Sequence, residues 1–255
     1  MFDPPGPRAR RRIRLVSLVS VVVVALLVLL ALRRFGDSGQ LDFAKWRPFL
    51  TWPVWRFLLT GAWATVLAAF ATGVIAAVFG LLLAVSKGFL ARWYVEIMRT
   101  VPVLLIIYVM LFVLPSYGLD LPLFWKLVVP LALSHAALFA GIFRAGVASV
   151  DPGQREAGLS LGLTERGTLR FVVLPQAIRN MLPSLVSQTV GLLKDTALGF
   201  VVSYTELLYT GRVLANYNHL LIQTYLVIAL VYLVVNLALS SFSRHLEASL
   251  ARTAR

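Results

Sequence analysis

The chain has no cysteine among its 255 residues and only three histidines. Disulfide frameworks, thiol nucleophiles and cysteine-based zinc or iron–sulfur sites are thereby excluded. Acidic residues are scarce too, 11 against 24 Lys and Arg, which leaves a formal net charge of +13. Charged residues of both signs make up 14% of the chain, where soluble domains carry about 25%. No Gly-x-x-x-x-Gly-Lys-Ser/Thr stretch occurs, so no phosphate loop is predicted to hold a nucleotide.

What is present in excess is apolar, 59% of residues. Six runs stand out: Leu15–Leu32, Phe57–Ser86, Thr100–Leu119, Leu121–Phe143 (holding Lys126 and His135), Met181–Thr205 (holding Lys194 and Asp195) and Leu220–Ser243. Each approaches or exceeds the roughly 20 residues that a spanning helix needs. The expected fold is therefore all-α, a polytopic membrane protein. The arginines of residues 8–14 give the first run a signal-peptide look. The run is longer than the usual ~7–15 residues, and Ala31-Leu32-Arg33-Arg34 offers no small-residue cleavage site, so an uncleaved span is expected. Ala69, Gly73 and Ala77 recur every fourth residue and could form a small-residue packing stripe, or be ordinary apolar filler.

The bases flank the apolar runs and do not coat one polar face, so the charge reads as topology, with lipid and not nucleic acid as the surroundings. Residues 8–14, 87–99, 144–179 and 244–255 carry 16 of the 24, against five at 33–56, which run counter to the bias, and Arg212. The positive-inside bias then predicts both termini on the cytoplasmic side. The expected organisation is a basic cytoplasmic segment 1–14, an extra span 15–33, an extracytoplasmic loop 34–56, a transmembrane domain 57–246 with a cytoplasmic hairpin 151–175, and a tail 247–255.

That hairpin is the long connection between spans. Asp151-Pro152-Gly153-Gln154 reads as a helix start: an Asp cap, Pro at the first helical position and Gln three residues after the cap. Glu156 near that start suits the helix dipole. Ala157, Leu159 and Leu161 lead to Gly162, a left-handed stop. Thr164 is expected to cap a second helix containing Leu169, Phe171, Val172 and Val173, and Leu174-Pro175 to punctuate entry to the next span. Arg155 and Glu156 fall near the tip. Folded loops of this length usually have a function, the plainer reading being a hairpin that only caps the bundle.

Glu156-Ala157-Gly158, then Gly162, then Val172-Val173-Leu174-Pro175 resembles the cytoplasmic signature of bacterial ABC-transporter permease subunits, with Gly158 in place of an Ala and Val172 in place of an Ile. Leu174-Pro175-Gln176-Ala177-Ile178-Arg179, Leu182-Pro183-Ser184-Leu185 and Leu192-Leu193-Lys194-Asp195-Thr196-Ala197-Leu198 are similar to the polar amino-acid permeases of that group. So are Gly61-x-x-x-Thr65-Val66-Leu67, Glu96-x-x-Arg99-x-x-Pro102 and Ile142-Phe143-Arg144-Ala145-Gly146. The resemblance covers about residues 57–246. It implies a five-helix permease core, and the extra N-terminal span looks like that of glutamate-type members. It implies coupling to separate ABC ATPase subunits through Glu156, Ala157, Gly158, Gly162, Leu174 and Pro175, with ATP held in those subunits and no cofactor in this chain. It further implies a second permease chain, identical or similar, an extracytoplasmic solute-binding protein and a place in the bacterial cell membrane. Members often carry Asn where His135 stands and Glu where Gly141 stands, and these departures bear on which amino acid is carried.

Polar groups inside spans are costly, about 2.5–3.5 kcal/mol for a charge at a helix centre on insertion scales. Ser134, His135, Gln188, Thr189, Lys194 and Asp195 are thus candidates for the translocation path or its gating. Neighbours in sequence point about 100° apart on a helix, so Lys194 and Asp195 are expected to meet partners on other helices and not each other. The resemblance favours a structural or gating role for that pair. A lone His in a membrane helix is more often hydrogen-bonded between helices than a ligand. Lys126 is expected to snorkel outward, and Glu206 to cap the short segment after it.

Other classes are weighed against transport by an ABC permease, including one for a non-amino-acid solute. An ion-coupled secondary transporter of small polar solutes predicts internal symmetry and helices broken at matching positions, and neither is visible in the sequence. An intramembrane hydrolase built on Ser134 and His135 fails on geometry, because adjacent helical residues cannot oppose a nucleophile and its base. No catalytic residue and no metal site are expected.

Overall fold

The computed structural model describes residues 6–86 and 88–252. Residues 1–5 of the predicted N-terminal segment, Lys87 and residues 253–255 of the predicted tail lie outside the described residues, as do the side chains of Arg8, Arg10, Arg11, Arg244 and Arg252. The regular structure of the described residues is all helical, with no strand among them. They divide into two compact units, 1–54 and 55–255.

In the first unit, α1 (Pro7–Asp37) is one continuous helix, and its apolar window Arg12–Asp37 buries none of its residues. A helix long enough to span and apolar on every side is made for lipid, not for a protein core. After it come a short helix, α2 (Phe43–Trp46), and one 3₁₀ turn, Arg47–Leu50. The Trp46 indole donates to the Gln40 carbonyl at 3.0 Å and closes this loop.

The second unit contains nearly all of α3 (Trp52–Val85), followed by α4 (Phe89–Thr100), α5 (Val103–Tyr108), α6 (Leu114–Ser116), α7 (Leu123–Ala148), α8 (Pro152–Ser160), α9 (Glu165–Thr168), α10 (Leu174–Asp195), α11 (Leu207–Asn218) and α12 (Leu221–Arg252). By length and apolarity α3, α7 and α12 can cross a membrane, and so can α4 with α5–α6 taken as one bent span. With α10 these make a bundle of five. α10 is too polar to stand alone in lipid, and it packs on α7 and α12.

Two of the predicted runs are not single straight helices. The run Thr100–Leu119 starts at a corner: α4 and the segment Val103–Ser116 meet at 98°. Val101 and Pro102 are extended, with ψ of 122° and 127°. Proline offers no N–H to continue α4 and pushes its predecessor out of the helical region, which makes the corner. The run Met181–Thr205 also fails as one span. Its helix ends at Asp195, a 3₁₀ turn Thr196–Phe200 follows, Ser203 takes φ +58°, and α11 begins after Glu206. The expectation of unbroken helices is therefore corrected twice.

Of the small residues Ala69, Gly73 and Ala77 on α3, Ala69 is buried and the other two are half-buried. A Cβ on Gly73 would meet only Leu192 Cδ1, at 4.0 Å. The buried face runs Leu58, Gly61, Thr65, Ala68, Ala69, Thr72, Ala76, Gly80 and Leu83. Gly80 touches α7 so closely that a Cβ would fall 2.8 Å from the Ala136 carbonyl oxygen. Close backbone approach of this kind is the usual basis of helix association in lipid, where burial of apolar surface drives little. Leu127, Val128, Leu131, Ala136 and Ala140 fill the facing side of α7, all fully buried.

Two of the four Leu-Pro steps, at 114–115 and 174–175, each follow a five-residue π-helical turn, Val109–Val113 and Leu169–Val173. The wider turn lets the chain pass a residue without an N–H and remain helical. Leu174-Pro175 marks the start of α10 as expected, with Pro175 in its first turn, although helical hydrogen bonding runs on into it from the π-helical turn before.

Candidate functional site

The hairpin is built largely as its residues predict. The Asp151 carboxylate accepts from the Gly153 N–H at 2.7 Å, and Pro152 opens α8. Gln154 does not complete a capping box. Its Oε1 accepts from the Gln176 side chain at 3.1 Å and ties the hairpin to α10. At the far end the Gly162 N–H donates to the Leu159 carbonyl and the Leu163 N–H to the Gly158 carbonyl, with Gly162 at φ +82°. This is the Schellman arrangement, which favours glycine at that position. Thr164 caps α9 by accepting from the Gly167 N–H at 3.1 Å. Arg155 reaches across from α8 and makes two bonds to the Glu165 carboxylate.

The hairpin's base is anchored and its outer face is bare. Val150, Val173, Ala177 and Met181 form a buried cluster beneath it, and Asn180 donates to the Ser149 hydroxyl at 2.9 Å. Gly158 is buried against Thr168, and a Cβ there would fall 2.7 Å from Thr168 Cγ2. Gly162 itself is exposed, as are Glu156, Ala157 and Pro175, and Leu161 is 84% exposed. Leu174 is half-buried.

Of the six polar candidates inside the spans, the structure joins three. His135 on α7 is 2% exposed. Its Nε2 lies 3.1 Å from Asp195 Oδ2, and its Nδ1 lies 2.9 Å from Gln188 Nε2, both partners belonging to α10. The other three stand apart. Thr189 donates back to the Leu185 carbonyl on its own helix, Lys194 is exposed, and Ser134 is half-buried with no bond to His135. The expectation that Lys194 and Asp195 find partners on other helices thus holds for Asp195 alone. Lys126 is mostly buried and pairs with Asp120 in the loop that precedes α7, the ammonium reaching toward that loop as snorkelling predicts.

Toward the hairpin end of the same seam lies a cavity of about 800 Å³. Gln188, Ser184 and Asn180 of α10 line it, with Gly141 and Ser149 from the α7 side and Arg99 from α4. Arg99 stands in the last turn of α4, just before the 98° corner. A Cβ on Gly141 would be 3.8 Å from its Nη1, so the guanidinium faces a position with no side chain. A cation and several uncharged hydrogen-bonding groups around a cavity suit a small solute carrying both a carboxylate and N–H groups. Arg99 was not among the sequence candidates, although it is the central residue of Glu96-x-x-Arg99-x-x-Pro102.

Other quoted motifs prove to be fastenings. Arg144 donates through Nη2 to the Leu83 carbonyl at 2.6 Å and so caps the end of α3. Gly146 makes room for Met181. Thr65 accepts from the Leu207 N–H at 3.0 Å and donates to the Gly61 carbonyl. Glu206 does cap the segment after it, accepting from the Leu208 and Tyr209 N–H groups at 2.8 and 2.7 Å. It is fully buried and takes a third bond, from the Tyr232 hydroxyl on α12 at 3.0 Å. That third partner, 26 residues away, carries no local signal in the sequence.

Residues 69–252 match the family described as the binding-protein-dependent transport system inner membrane component. The chain is similar to the glutamate transport system permease protein GluD of Corynebacterium glutamicum, 34% identical over 227 residues, covering 84% of this chain and 82% of that one. It is also similar to the glutamine transport system permease protein GlnP of Escherichia coli, 34% identical over 209 residues, covering 77% and 94%. Among solved structures, an amino acid ABC transporter crystallised with histidines aligns with a TM-score of 0.73 at 30% identity, covering 82% of this chain and 97% of that one. The MetNI methionine ABC transporter in inward-facing form aligns at 0.59 and 19% identity, covering 77% and 99%, a likeness of fold.

Proposed function

The chain belongs to the family of binding-protein-dependent transport system inner membrane components, and we propose that as an ABC importer permease it carries a polar amino acid, glutamate and glutamine foremost. The cargo follows from what two relatives are named for and from the cavity, where Arg99 offers a cation to a carboxylate. Two such chains, or this one and a similar second, line the path in a bacterial cytoplasmic membrane. Both termini and the hairpin 151–175 face the cytoplasm, and a solute-binding protein delivers cargo outside. Residues 57–246 act as the permease domain, with residues 15–33 as an additional anchor.

ATP is hydrolysed on separate subunits, which grip the bare outer face of the hairpin at Glu156 and Ala157. Gly158 and Gly162 give that hairpin its shape, and Leu174 and Pro175 lead its motion into α10. When the two ATPase subunits close on ATP, the hairpins approach and the helices reopen outward. In this scheme His135, Gln188 and Asp195 hold α7 to α10 beside the path. Ser134, Thr189 and Lys194 take roles only if the second chain or a different conformation brings them to it.

The observation that carries this reading is the hairpin fastened at its base and uncovered on its outer face. The test is uptake of radiolabelled L-glutamate and L-glutamine into proteoliposomes holding the chain with its ATPase and binding protein. Uptake that requires ATP and stops when Glu156 is replaced by Lys is expected. Uptake driven by an ion gradient without ATP would overturn it.

A further inference from the structure

The hydrogen-bond roles around His135 follow from its neighbours. The Asp195 carboxylate can only accept, so at 3.1 Å His135 Nε2 carries the proton and donates. In the neutral ring Nδ1 is then an acceptor, and the group opposite it, 2.9 Å away, is the Gln188 amide nitrogen, which donates. Gln188 has thereby turned its N–H toward the histidine and keeps its carbonyl oxygen for the cavity it lines. A protonated ring donates from both nitrogens. The amide nitrogen of Gln188 could no longer face Nδ1, and the side chain would have to turn over, showing its NH₂ to the cavity.

The remaining titratable groups packed around α7 do not compete for these bonds. From α4, Tyr94 donates to the Leu133 carbonyl at 2.9 Å, Arg99 faces Gly141, and Glu96 is exposed. From α10, Lys194 is exposed. α5 brings Tyr108, which is exposed, and Tyr232 of α12 is bonded to Glu206. The 3₁₀ turn Thr196–Phe200 and the stretch of α3 from residue 57 to 85 carry no ionisable side chain. On α7 itself Lys126 is paired with Asp120, and Arg144 is bound to Leu83.

We propose that His135 determines which hydrogen-bonding sign Gln188 presents to the transport cavity: an acceptor when the ring is neutral, a donor when it is protonated. The neutral state accepts a cargo that places an ammonium or amide N–H against Gln188, and the protonated state opposes it. This rests on the cavity being the cargo path, the reading given above. His135 is a positioning residue, acting through Gln188 and touching no cargo.

The test compares wild type with His135→Gln in the reconstituted complex. A glutamine side chain can donate to Asp195 and accept from Gln188 but cannot titrate. For L-glutamine uptake, the wild-type KM should rise about tenfold on acidification, the cost of one unsatisfied buried hydrogen-bonding group, with little change in kcat. The variant's KM should stay flat. A second arm needs no cargo: ¹⁵N NMR of histidine-labelled protein, with the His135 signal assigned by its loss in the variant, should show the Nε2–H tautomer at neutral pH. Parallel pH profiles in the two proteins, or an Nδ1–H tautomer, would overturn the proposal. If wild type takes up neither glutamine nor glutamate, the cargo reading fails and the tautomer decides this proposal alone. The tautomer decides likewise if the variant does not assemble.

Discussion

Gly158 packs on Thr168 with no space for a side chain between them, so the two arms of the hairpin are held at backbone distance. Gly158→Ala should force Thr168 aside and cost about 1–2 kcal/mol, the usual range for overpacking. Gly158→Ala combined with Thr168→Ser, which deletes the methyl in the way, should recover most of it. Thermal melting of the purified protein in detergent reads both.

Glu156 is exposed at the outer face of the same hairpin and makes no side-chain bond among the described residues. Glu156→Lys should therefore leave stability within about 0.5 kcal/mol of wild type, as surface changes do. Transport should still fall while the partner's ATPase activity persists. A variant that melts normally and transports normally would remove the hairpin's assigned role.

Glu206 is buried with three bonds to its carboxylate. Glu206→Leu strands two N–H groups at the start of α11 and one hydroxyl, and should cost on the order of 3 kcal/mol or prevent assembly. Tyr232→Phe removes one of the three bonds and should cost about 1 kcal/mol. The ordering of the two melting temperatures is the check.

Arg99 faces the cavity at a point where Gly141 has no side chain. Arg99→Gln should raise the KM for glutamate roughly ten- to hundredfold through loss of one charge-assisted contact, with unchanged melting. Gly141→Glu sets a carboxylate beside the guanidinium and should weaken glutamate relative to glutamine by about tenfold through like-charge rejection. Competition uptake with the two labelled amino acids separates these outcomes.

The residues announce those features whose causes are local. Asp151, Gly162 and Thr164 mark the ends of their helices because a cap or a left-handed turn is decided within four residues. The apolar runs announce the spans for the same reason, since each needs only its own composition. The corner at Val101-Pro102 was hidden inside an apolar count that is blind to a missing N–H. The end of α10 at Asp195 was hidden because Glu206, whose bonds start α11, lies 11 residues on and is satisfied in part from α12. The meeting of His135 with Gln188 and Asp195 joins positions 53 and 60 residues apart. Only the packing of α7 on α10 brings them together, and no local spacing encodes it.

Because helical hydrogen bonding runs on from the π-helical turn through Pro175, the hairpin's second arm and the shaft that ends at Asp195 are one continuous stretch of helix. At 1.5 Å per residue that stretch is roughly 45 Å long. A displacement of its cytoplasmic tip thus has an unbroken covalent and hydrogen-bonded path to the far tip, where the carboxylate touches the histidine.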